Sequence, residues 1–465
     1  MDTKRTSDDV VSDTHPGAPG GGQESGATTR ELDGLYRRIA LRLLPFLFLA
    51  YVINSIDRAN ISFAKLRMVD DLGLSNATYG LGASLFFVGY VLFEVPSNLY
   101  MQRVGARLTV MRIMILWGLI TVATGFVNTP GQLYVLRFLL GVAEAGFFPC
   151  IILYLTYWFP AARRGRITSM FMLAVPASGL MSGPLAAWIM TAFDGTHGMQ
   201  GWRVLFIYEG IPAVALGVAA WFLLPNGPQT ADWLDTRERD LVTAAVAAED
   251  ERPDATVKGA LRRVVTDGRV WLAGFVFFAM YAGFNVLAYW APTLLHDLGV
   301  TDLTTIGLLT TLPSIGAVIG MLVAGRSSDR TMERRFHVAV PLTVSGICFA
   351  AMTLTSSNLL LSISLLTIAA MMCFGALPVF WTIPPSYLAK ASAAGGIAFI
   401  SSLGGVSAFV TPNIIGQIAT RTGSMDNAMY FVAGILLVAG VVIVKGIPAA
   451  ALGERRLRPT TNSDL

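Results

Sequence analysis

The segment YVINSIDRANISF, residues 51–63, has the apolar character of a membrane helix but contains an acid and an arginine side by side, Asp57 and Arg58. A charged side chain at the centre of a membrane helix costs ~2.5–3.5 kcal/mol on insertion scales. Such side chains tend to face a partner or a water-filled cavity instead of lipid. The segment therefore predicts a membrane helix that turns its charged face toward other helices.

The composition places the rest of the chain in the same environment. Of the 465 residues, 54% are hydrophobic and only 14% are charged, whereas a typical soluble domain has roughly 25% charged residues. Apolar runs of about 18 or more residues can cross the ~30 Å hydrocarbon layer as helices, and they recur along the chain. Twelve are predicted, which indicates an all-α membrane protein: residues 43–64, 77–99, 109–128, 131–158, 167–192, 203–224, 271–295, 303–325, 337–356, 359–383, 395–420 and 427–449.

Polar segments divide these spans into two groups of six. Residues 1–38 are rich in Gly, Ser, Thr and Asp, are expected to form a disordered tail, and lack the short apolar region of a secretory signal. A second polar stretch, residues 226–269, separates a first six-helix bundle, residues 39–225, from a second, residues 270–450. The chain ends in a polar tail, residues 451–465.

Basic residues in the short connections are concentrated on the side of the bundle that carries both termini. The other side has only Lys65, Arg67, Arg203 and Arg421. Because Lys and Arg accumulate in cytoplasmic loops, we expect a multi-pass protein of the inner membrane with both termini in the cytoplasm. The same bias accounts for most of the net charge of +4, so we expect no nucleic-acid partner.

Four charges lie well inside the predicted spans, all in the first half: Asp57, Arg58, Arg137 and Glu144. Arg137 and Glu144 are two helical turns apart and therefore share a face of the fourth span. They could form buried ion pairs, Asp57 with Arg137 or Arg58 with Glu144, although such pairs stabilise a fold weakly. Alternatively, the planar fork of each arginine binds an anion, and the acids carry a proton whose binding depends on the neighbouring arginines.

Other polar residues are given structural roles. Glu94 and Glu209 lie toward the ends of their spans, where we expect structural hydrogen bonds. The three cysteines, Cys150, Cys348 and Cys373, fall within apolar runs and have the spacing of neither a metal site nor a disulfide framework. We therefore expect no metal and no bound cofactor.

The connections after the second and eighth spans, SNLYMQRVGARL and AGRSSDRTMERR, occupy the same ordinal place in each half. Both resemble the signature loop of the major facilitator superfamily, although Gln102 stands where that loop has an acid. The resemblance implies the major facilitator fold, with two six-helix bundles and a cytoplasmic gate formed by these loops. The gate residues that it implies are Arg103, Gly105, Arg107, Asp329 and Arg330.

Longer strings, among them RFLLGVAEAGFFPCIILYLTYWFPAARRGR from Arg137 and FWTIPPSYLAKASAAGGIAFI from Phe380, are similar to the anion:cation symporter family. They resemble especially its bacterial tartrate-like and aromatic-acid-transporter members. The resemblance implies that the two arginines, Arg58 and Arg137, contact a substrate carboxylate or act as gating cations. It implies that Asp57 and Glu144 carry protons and that the Tyr90 hydroxyl reaches toward the substrate.

The second half has no acid within a predicted span, so the coupling chemistry is expected in the first half. Neutral substrate contacts are expected from residues in the seventh and tenth spans that resemble the substrate-facing string of the family: Tyr281, Asn285, Trp381 and Thr382. The family often has Asn in the eleventh span, where this chain has Ser401 and Gly405. This difference indicates an altered substrate.

Together these features predict a monomeric secondary transporter that takes up a small organic acid anion with protons by alternating access. The acid is tartrate-like, a sugar acid or an aromatic carboxylate. The alternatives are export or exchange of another organic solute and a sensor with a transporter-like core. We expect no enzymatic activity, because the chain lacks a phosphate-binding glycine loop, a paired-histidine metal motif and a serine-nucleophile motif.

Overall fold

A computed structural model describes residues 21–247, 266–331, 333–355, 357–384 and 390–446. Within these ranges the chain is helical with short connections, which confirms the predicted fold class. Eleven helices of the described residues are long and apolar enough to cross a membrane, and the apolar helix Phe336–Met352 is shorter. We number the twelve as spans 1–12 in chain order.

Spans 1–6 consist of Gly21–Leu72, Asn76–Val104, Ala106–Thr124, the pair Pro130–Glu144 and Phe147–Trp158, the pair Ala161–Met172 and Ala174–Ala192, and Gly201–Leu223. A short helix, Thr236–Ala247, follows in the central connection. Span 7 runs from Gly268–Asn285 through a π-helical turn, Val286–Trp290, into Ala291–Asp297. Spans 8–12 are the pair Leu303–Leu309 and Thr311–Thr331, then Phe336–Met352, Leu359–Phe380, Lys390–Thr422 and Asp426–Gly446.

Two of the short turns between spans place a capping side chain before the next helix. The Ser75 hydroxyl accepts a hydrogen bond from the Thr78 backbone N–H at 3.1 Å. The Thr129 hydroxyl accepts one from the Gln132 backbone N–H at 3.3 Å, and Pro130 occupies the first helical position. These caps satisfy backbone donors that have no partner within the helix, so short polar connections suffice to reverse the chain.

Span 4, predicted as one helix, is interrupted at Ala145 and Gly146. Gly146 has φ +87°, in the left-handed region that favours glycine. A Cβ atom at this position would lie 2.6 Å from the Cβ of Ser97 in span 2. Glycine therefore permits both the break and the close approach of span 2. The break makes Glu144 the last residue of its helix.

Span 1 begins earlier than predicted, so residues 21–38, which we expected in a disordered tail, are helical. The reason is packing on the ends of spans 4 and 5. Leu35 and Tyr36 are buried, and Arg163 pairs with Asp33 at 2.5 Å. Residues 1–20 of that predicted tail lie outside the described residues, as does the predicted tail at residues 451–465.

Successive spans run in opposite directions, so one face of the bundle carries the start of span 1 and the end of span 12. We call it the terminal face, and the other the opposite face. The helix Thr236–Ala247 lies on the terminal face, where Arg237 pairs with Glu31 at 3.3 Å. Trp233, just before this helix, stacks on Trp158 with ring centroids 5.7 Å apart.

The two halves of the chain meet between the middle of the bundle and the opposite face. Among the described residues, the direct hydrogen bonds between the halves lie in this region: Ala77 to Thr420, Tyr79 to Tyr289, Lys65 to Thr293 and Ser314 to Gly179. The two halves are therefore sealed against each other at the opposite face.

Candidate functional site

One of the two possible ion pairs between spans 1 and 4 is formed. The Arg58 Nε donates to Glu144 Oε2 at 2.7 Å. The Asn54 Nδ2 donates to the same oxygen at 2.8 Å. Glu144 is fully buried, and its second oxygen has no hydrogen-bond partner among the described residues. Glu144 ends its helix at the break in span 4, and the next helix begins at Phe147.

The other possible pair, Asp57 with Arg137, is absent. Asp57 Oδ1 accepts a hydrogen bond from the Asn60 Nδ2 at 3.1 Å, and its Oδ2 accepts one from the Thr121 hydroxyl at 3.0 Å. Asp57 is fully buried. Two neutral donors, one in its own helix and one in span 3, therefore hold this carboxylate.

Arg137 is a buried cation that has no hydrogen-bond acceptor among the described residues. Only 1% of its surface is exposed, and within the described part of the chain none of its three side-chain nitrogens has a hydrogen-bond partner. Its guanidinium carbon lies 5.3 Å from the ring centroid of Phe86. A cation–π contact offsets only part of the cost of burying a charge, so this guanidinium can accept an anion.

Both arginines lie against the same ring. The guanidinium carbon of Arg58 is 5.2 Å from the centroid of Phe86 and 4.9 Å from that of Tyr90. The two guanidinium carbons are thus no farther apart than the sum of their distances to Phe86. Glu144 is the only acid among the described residues that is hydrogen-bonded to either of them. Two cations against one ring, of which only Arg58 is hydrogen-bonded to an acid among the described residues, favour the binding of a further anion.

Arg58 is the more accessible of the two, with 28% of its side chain exposed. A cavity of about 250 Å³ lies between spans 1, 5, 7, 8 and 10, but span 1 lines it with Ser55, Ala59 and Ser62. Neither arginine belongs to its lining. Arg58 is three residues after Ser55 and four before Ser62, so it lies on the face of span 1 that borders the cavity, whereas Asp57 lies on the other side of that helix. Because Arg58 is the more exposed arginine, an anion that enters the charged site meets it first.

Glu209 is a buried acid that the sequence predicted near a span end, but it lies well inside its span. It is the ninth residue of Gly201–Leu223, and 5% of its surface is exposed. Neither carboxylate oxygen has a hydrogen-bond partner in the described ranges. It lies beside Asp57 and Asn60. The available signal was its position well inside an apolar run.

Two of the neutral residues predicted as substrate contacts lie near the charges. Tyr90 packs against Arg58. Tyr281, in span 7, is half-buried and within electrostatic range of the same guanidinium. Tyr90 belongs to the first half of the chain and Tyr281 to the second, so each half contributes one tyrosine beside the charged site.

The other three predicted contacts are engaged elsewhere. The Asn285 Nδ2 donates to the Ser407 carbonyl at 3.2 Å and to the Thr411 hydroxyl at 2.7 Å, so it joins span 7 to span 11. Trp381 packs on Phe277, with ring centroids 4.7 Å apart. The Thr382 hydroxyl donates to the backbone at Val379. Asn285 thus uses both amide hydrogens inside the protein.

The predicted gate loops make their described contacts within their own halves. The Arg107 backbone N–H donates to Asn226 Oδ1 at 3.0 Å. Asp329 accepts a hydrogen bond from Arg334 at 2.8 Å. The side chains of Arg103 and Arg330 are exposed. The gating role of these residues stays a prediction.

Lys65, which the sequence placed in a connection, is buried in span 1, because that helix continues to Leu72. Its Nζ donates to the Thr293 hydroxyl at 2.9 Å. The ammonium lies 4.2 Å from the ring centroid of Trp290 and 4.8 Å from that of Tyr79. Lys65, Thr293, Trp290 and Tyr79 join the two halves toward the opposite face, and we call these four residues the Lys65 clasp.

Trp290→Leu is expected to open this clasp, because it leaves the Lys65 ammonium buried without its nearest ring. A desolvated cation–π contact contributes ~2 kcal/mol, so the ratio of open to closed molecules should rise roughly 30-fold. Spin labels at His197→Cys and Thr301→Cys, both exposed on the opposite face, would report the change as longer inter-half distances. Trp188→Leu, at an exposed tryptophan, is the control, and an unchanged distance distribution in Trp290→Leu would show that the clasp does not depend on this ring.

Comparison with known proteins adds a family and a fold. Residues 47–412 match the family model described as Major Facilitator Superfamily. The chain is 44% identical over 416 residues to the putative metabolite transport protein NicT of Pseudomonas putida, covering 89% of this chain and 94% of that protein. It is 40% identical to a putative tartrate transporter of Agrobacterium vitis, with 90% and 93% of the two chains covered.

A solved D-xylose-proton symporter is similar in structure, with a TM-score of 0.72 at 16% sequence identity. The match covers 90% of this chain and 99% of that one. At this identity the likeness establishes the fold alone.

Proposed function

We propose that this chain, which belongs to the Major Facilitator Superfamily, takes up a small organic acid anion together with protons by alternating access. Membership of the family makes the chain a multi-pass membrane transporter and not an enzyme. The proposal concerns the substrate, the coupling ion and the direction of transport.

The observation that carries the proposal is the state of Arg137. A guanidinium that is 1% exposed and has no acceptor among the described residues gains most from a carboxylate, because two parallel N–H donors meet its two oxygens. The Nη2 atom of Arg58 also lacks a hydrogen-bond partner in the described structure. A carboxylate between the two guanidinium groups would give both of them an acceptor.

Glu144 supplies the link between anion and proton. Its carboxylate shares Arg58 with any anion that binds there. When the anion takes over hydrogen bonds from Arg58, Glu144 is left buried with the neutral Asn54 amide as its donor among the described residues. A buried carboxylate without a counterion takes up a proton instead of bearing the desolvation cost. Anion binding thereby promotes proton binding, which is the coupling that a symporter requires.

The substrate class follows from the same chemistry and from the names of the relatives. We propose a tartrate-like acid, a sugar acid or an aromatic carboxylate as the substrate, since each carries the carboxylate that the arginines would bind. No bound cofactor is needed. We propose further that the protein is a monomer in the inner membrane with both termini in the cytoplasm. The conformation described here would then be the inward-facing one, closed toward the outside at the Lys65 clasp.

The proposal is tested with purified protein in liposomes. Labelled tartrate, gluconate and benzoate represent the three acid classes and are supplied outside, with and without an inward proton gradient. We expect the gradient to drive accumulation of at least one acid and a protonophore to abolish it. If a known proton symporter works in the same liposomes and this chain accumulates none of the acids, proton-coupled uptake is refuted. If a sodium gradient but not a proton gradient drives accumulation, the coupling ion that we propose is wrong.

A further inference from the structure

Lys65 is held at the opposite face mainly by residues of the other half of the chain. Its Nζ donates to the Thr293 hydroxyl at 2.9 Å, and the nearer of its two rings is that of Trp290, at 4.2 Å. Asp297, an acid within electrostatic range, is exposed and belongs to span 7 as they do. The ring of Tyr79, at 4.8 Å, comes from the first half. Separation of the halves at this face therefore leaves the ammonium beside Tyr79, without its hydrogen-bond acceptor.

The positive charge of Lys65 has a cost that closing the molecule does not explain. Only 4% of its surface is exposed, and its hydrogen-bond partner is a neutral hydroxyl. Desolvation of a charge is unfavourable unless an opposite charge repays it, and cation–π contacts offset only part of that cost. A methionine would contact both rings without it. The charge is better explained by a role in the conformation in which the Lys65 clasp is open.

The position of Lys65 on span 1 connects the opposite face with the charged site. Lys65 follows Arg58 by seven residues, which is two helical turns or about 10.5 Å along the axis, so the two cations share a face of the helix. Between them, Ser62 lines the cavity of about 250 Å³. Pro292, which precedes the clasp residue Thr293, lines the same cavity. The cavity thus extends from the inner side of the clasp toward the level of Arg58.

We propose that Lys65 is an outer docking site for the carboxylate of the transported acid and that it passes the acid to Arg58. When the clasp opens, the ammonium loses the Thr293 hydroxyl and the Trp290 ring and faces the water that enters between the halves. A carboxylate that arrives from this side supplies the missing acceptor. This inference rests on the proposed uptake of an anion and adds a binding residue to it.

Docking and closure compete for the same ammonium. In the closed clasp Lys65 is too deeply buried for an anion to reach it, so the carboxylate and the span 7 partners cannot hold it at once. The acid must move on before the clasp re-forms. Deeper along the same helix face, Arg58 still has an Nη2 atom without a hydrogen-bond partner among the described residues. Closure at the opposite face therefore follows the movement of the acid to Arg58.

The test compares two variants that weaken the clasp in different ways, with labelled tartrate, gluconate or benzoate, whichever the wild type accumulates. Lys65→Met removes the ammonium, and it should raise the external concentration that half-saturates uptake about tenfold or more, because a hydrogen bond to a charged group is lost. Trp290→Leu keeps the ammonium and favours the open form, so it should leave this concentration unchanged or lower it. A shift of both variants in the same direction, or no rise in Lys65→Met, overturns the proposal while leaving proton-coupled uptake intact.

The side from which the acid is offered separates docking from general damage. Half-saturation of efflux by internal acid should be unchanged in Lys65→Met, because Lys65 is out of reach from the terminal face. Lys65→Arg, which keeps a charged donor, should recover much of the external affinity. Arg67→Gln removes an exposed cation two residues along the same helix and is the charge control. An equal loss on both sides of the membrane, or an equal loss in Arg67→Gln, refutes a docking site at Lys65.

A second measurement does not require transport. In purified protein that carries both Trp290→Leu and Thr293→Val, the Lys65 amine should react faster with a sulfonated succinimidyl ester than in the wild type, as measured by mass spectrometry. At least one of the three acids should slow this reaction, whereas the uncharged erythritol should not. Protection in a protein that transports none of the acids would support the docking site and refute uptake. An amine that stays unreactive, or that no acid protects, refutes the docking site even if uptake is demonstrated.

Discussion

Arg137→Gln is expected to weaken the binding of the transported acid by at least roughly 30-fold. Removing one partner of a buried, hydrogen-bonded charge pair costs ~2–5 kcal/mol, and each 1.4 kcal/mol corresponds to about a tenfold change in affinity. We expect the cost at Arg137 to lie toward the upper end of this range, because the residue is 1% exposed and has no competing acceptor among the described residues. Calorimetric titration of the purified protein with the acid that it accumulates would measure the loss.

Arg137→Lys separates charge from geometry. An ammonium keeps the positive charge but cannot offer the planar fork that meets both carboxylate oxygens, so we expect an affinity between those of the wild type and Arg137→Gln. Arg421→Gln, at an exposed arginine that ends span 11, should bind as the wild type does. Wild-type affinity in both Arg137 variants would mean that Arg137 is satisfied inside the protein, and the substrate would have to bind elsewhere.

Glu144→Gln is expected to abolish accumulation driven by a proton gradient and to leave exchange of labelled for unlabelled acid largely intact. Glutamine fills the space of a protonated glutamate, so the variant resembles the proton-loaded site but cannot release a proton. It also frees Arg58 of its counterion, which favours the anion. Uptake against a gradient and exchange at equal concentrations, measured in the same liposomes, would distinguish the two activities.

Asp57→Asn is the companion variant, and it should also lose accumulation, because it removes the other buried acid that the sequence predicts to carry a proton. Asp70→Asn, which alters an exposed acid near the end of span 1, is the matched control and should accumulate the acid normally. Normal accumulation by both Glu144→Gln and Asp57→Asn would show that protons enter by another route. The charged cluster would then act only as an anchor between helices.

Much of the fold could be predicted because its signal is local. Apolar runs long enough to cross a membrane mark each span wherever they fold, and the described helices confirm an all-α membrane protein. The break in span 4 was missed, because Gly146 carries no sign in the sequence that distinguishes it from glycines that merely pack. Its role arises from the approach of Ser97 in another span.

The sequence predicted which charged residues form the candidate site, but not which of them pair with each other. The cost of burying charge identified Asp57, Arg58, Arg137 and Glu144 without any structure. Lys65 was missed because span 1 continues beyond its apolar run to Leu72. Glu209 was expected near a span end, but it is the ninth residue of Gly201–Leu223 and lies beside Asp57 and Asn60. In both cases the neighbours that decide the role come from other spans.

By itself, then, the sequence determined that this chain is a two-part bundle of membrane helices with arginines and acids buried in its first half, since hydropathy and the cost of buried charge act residue by residue. Only the tertiary structure decided that Arg58 pairs with Glu144 and that Asn60 and Thr121 donate hydrogen bonds to Asp57. It also decided that Arg137 has no acceptor in the described part of the chain. The physical reason is that hydrogen bonds near 3 Å depend on how each helix is rotated against its neighbours. That rotation is set by packing over whole spans.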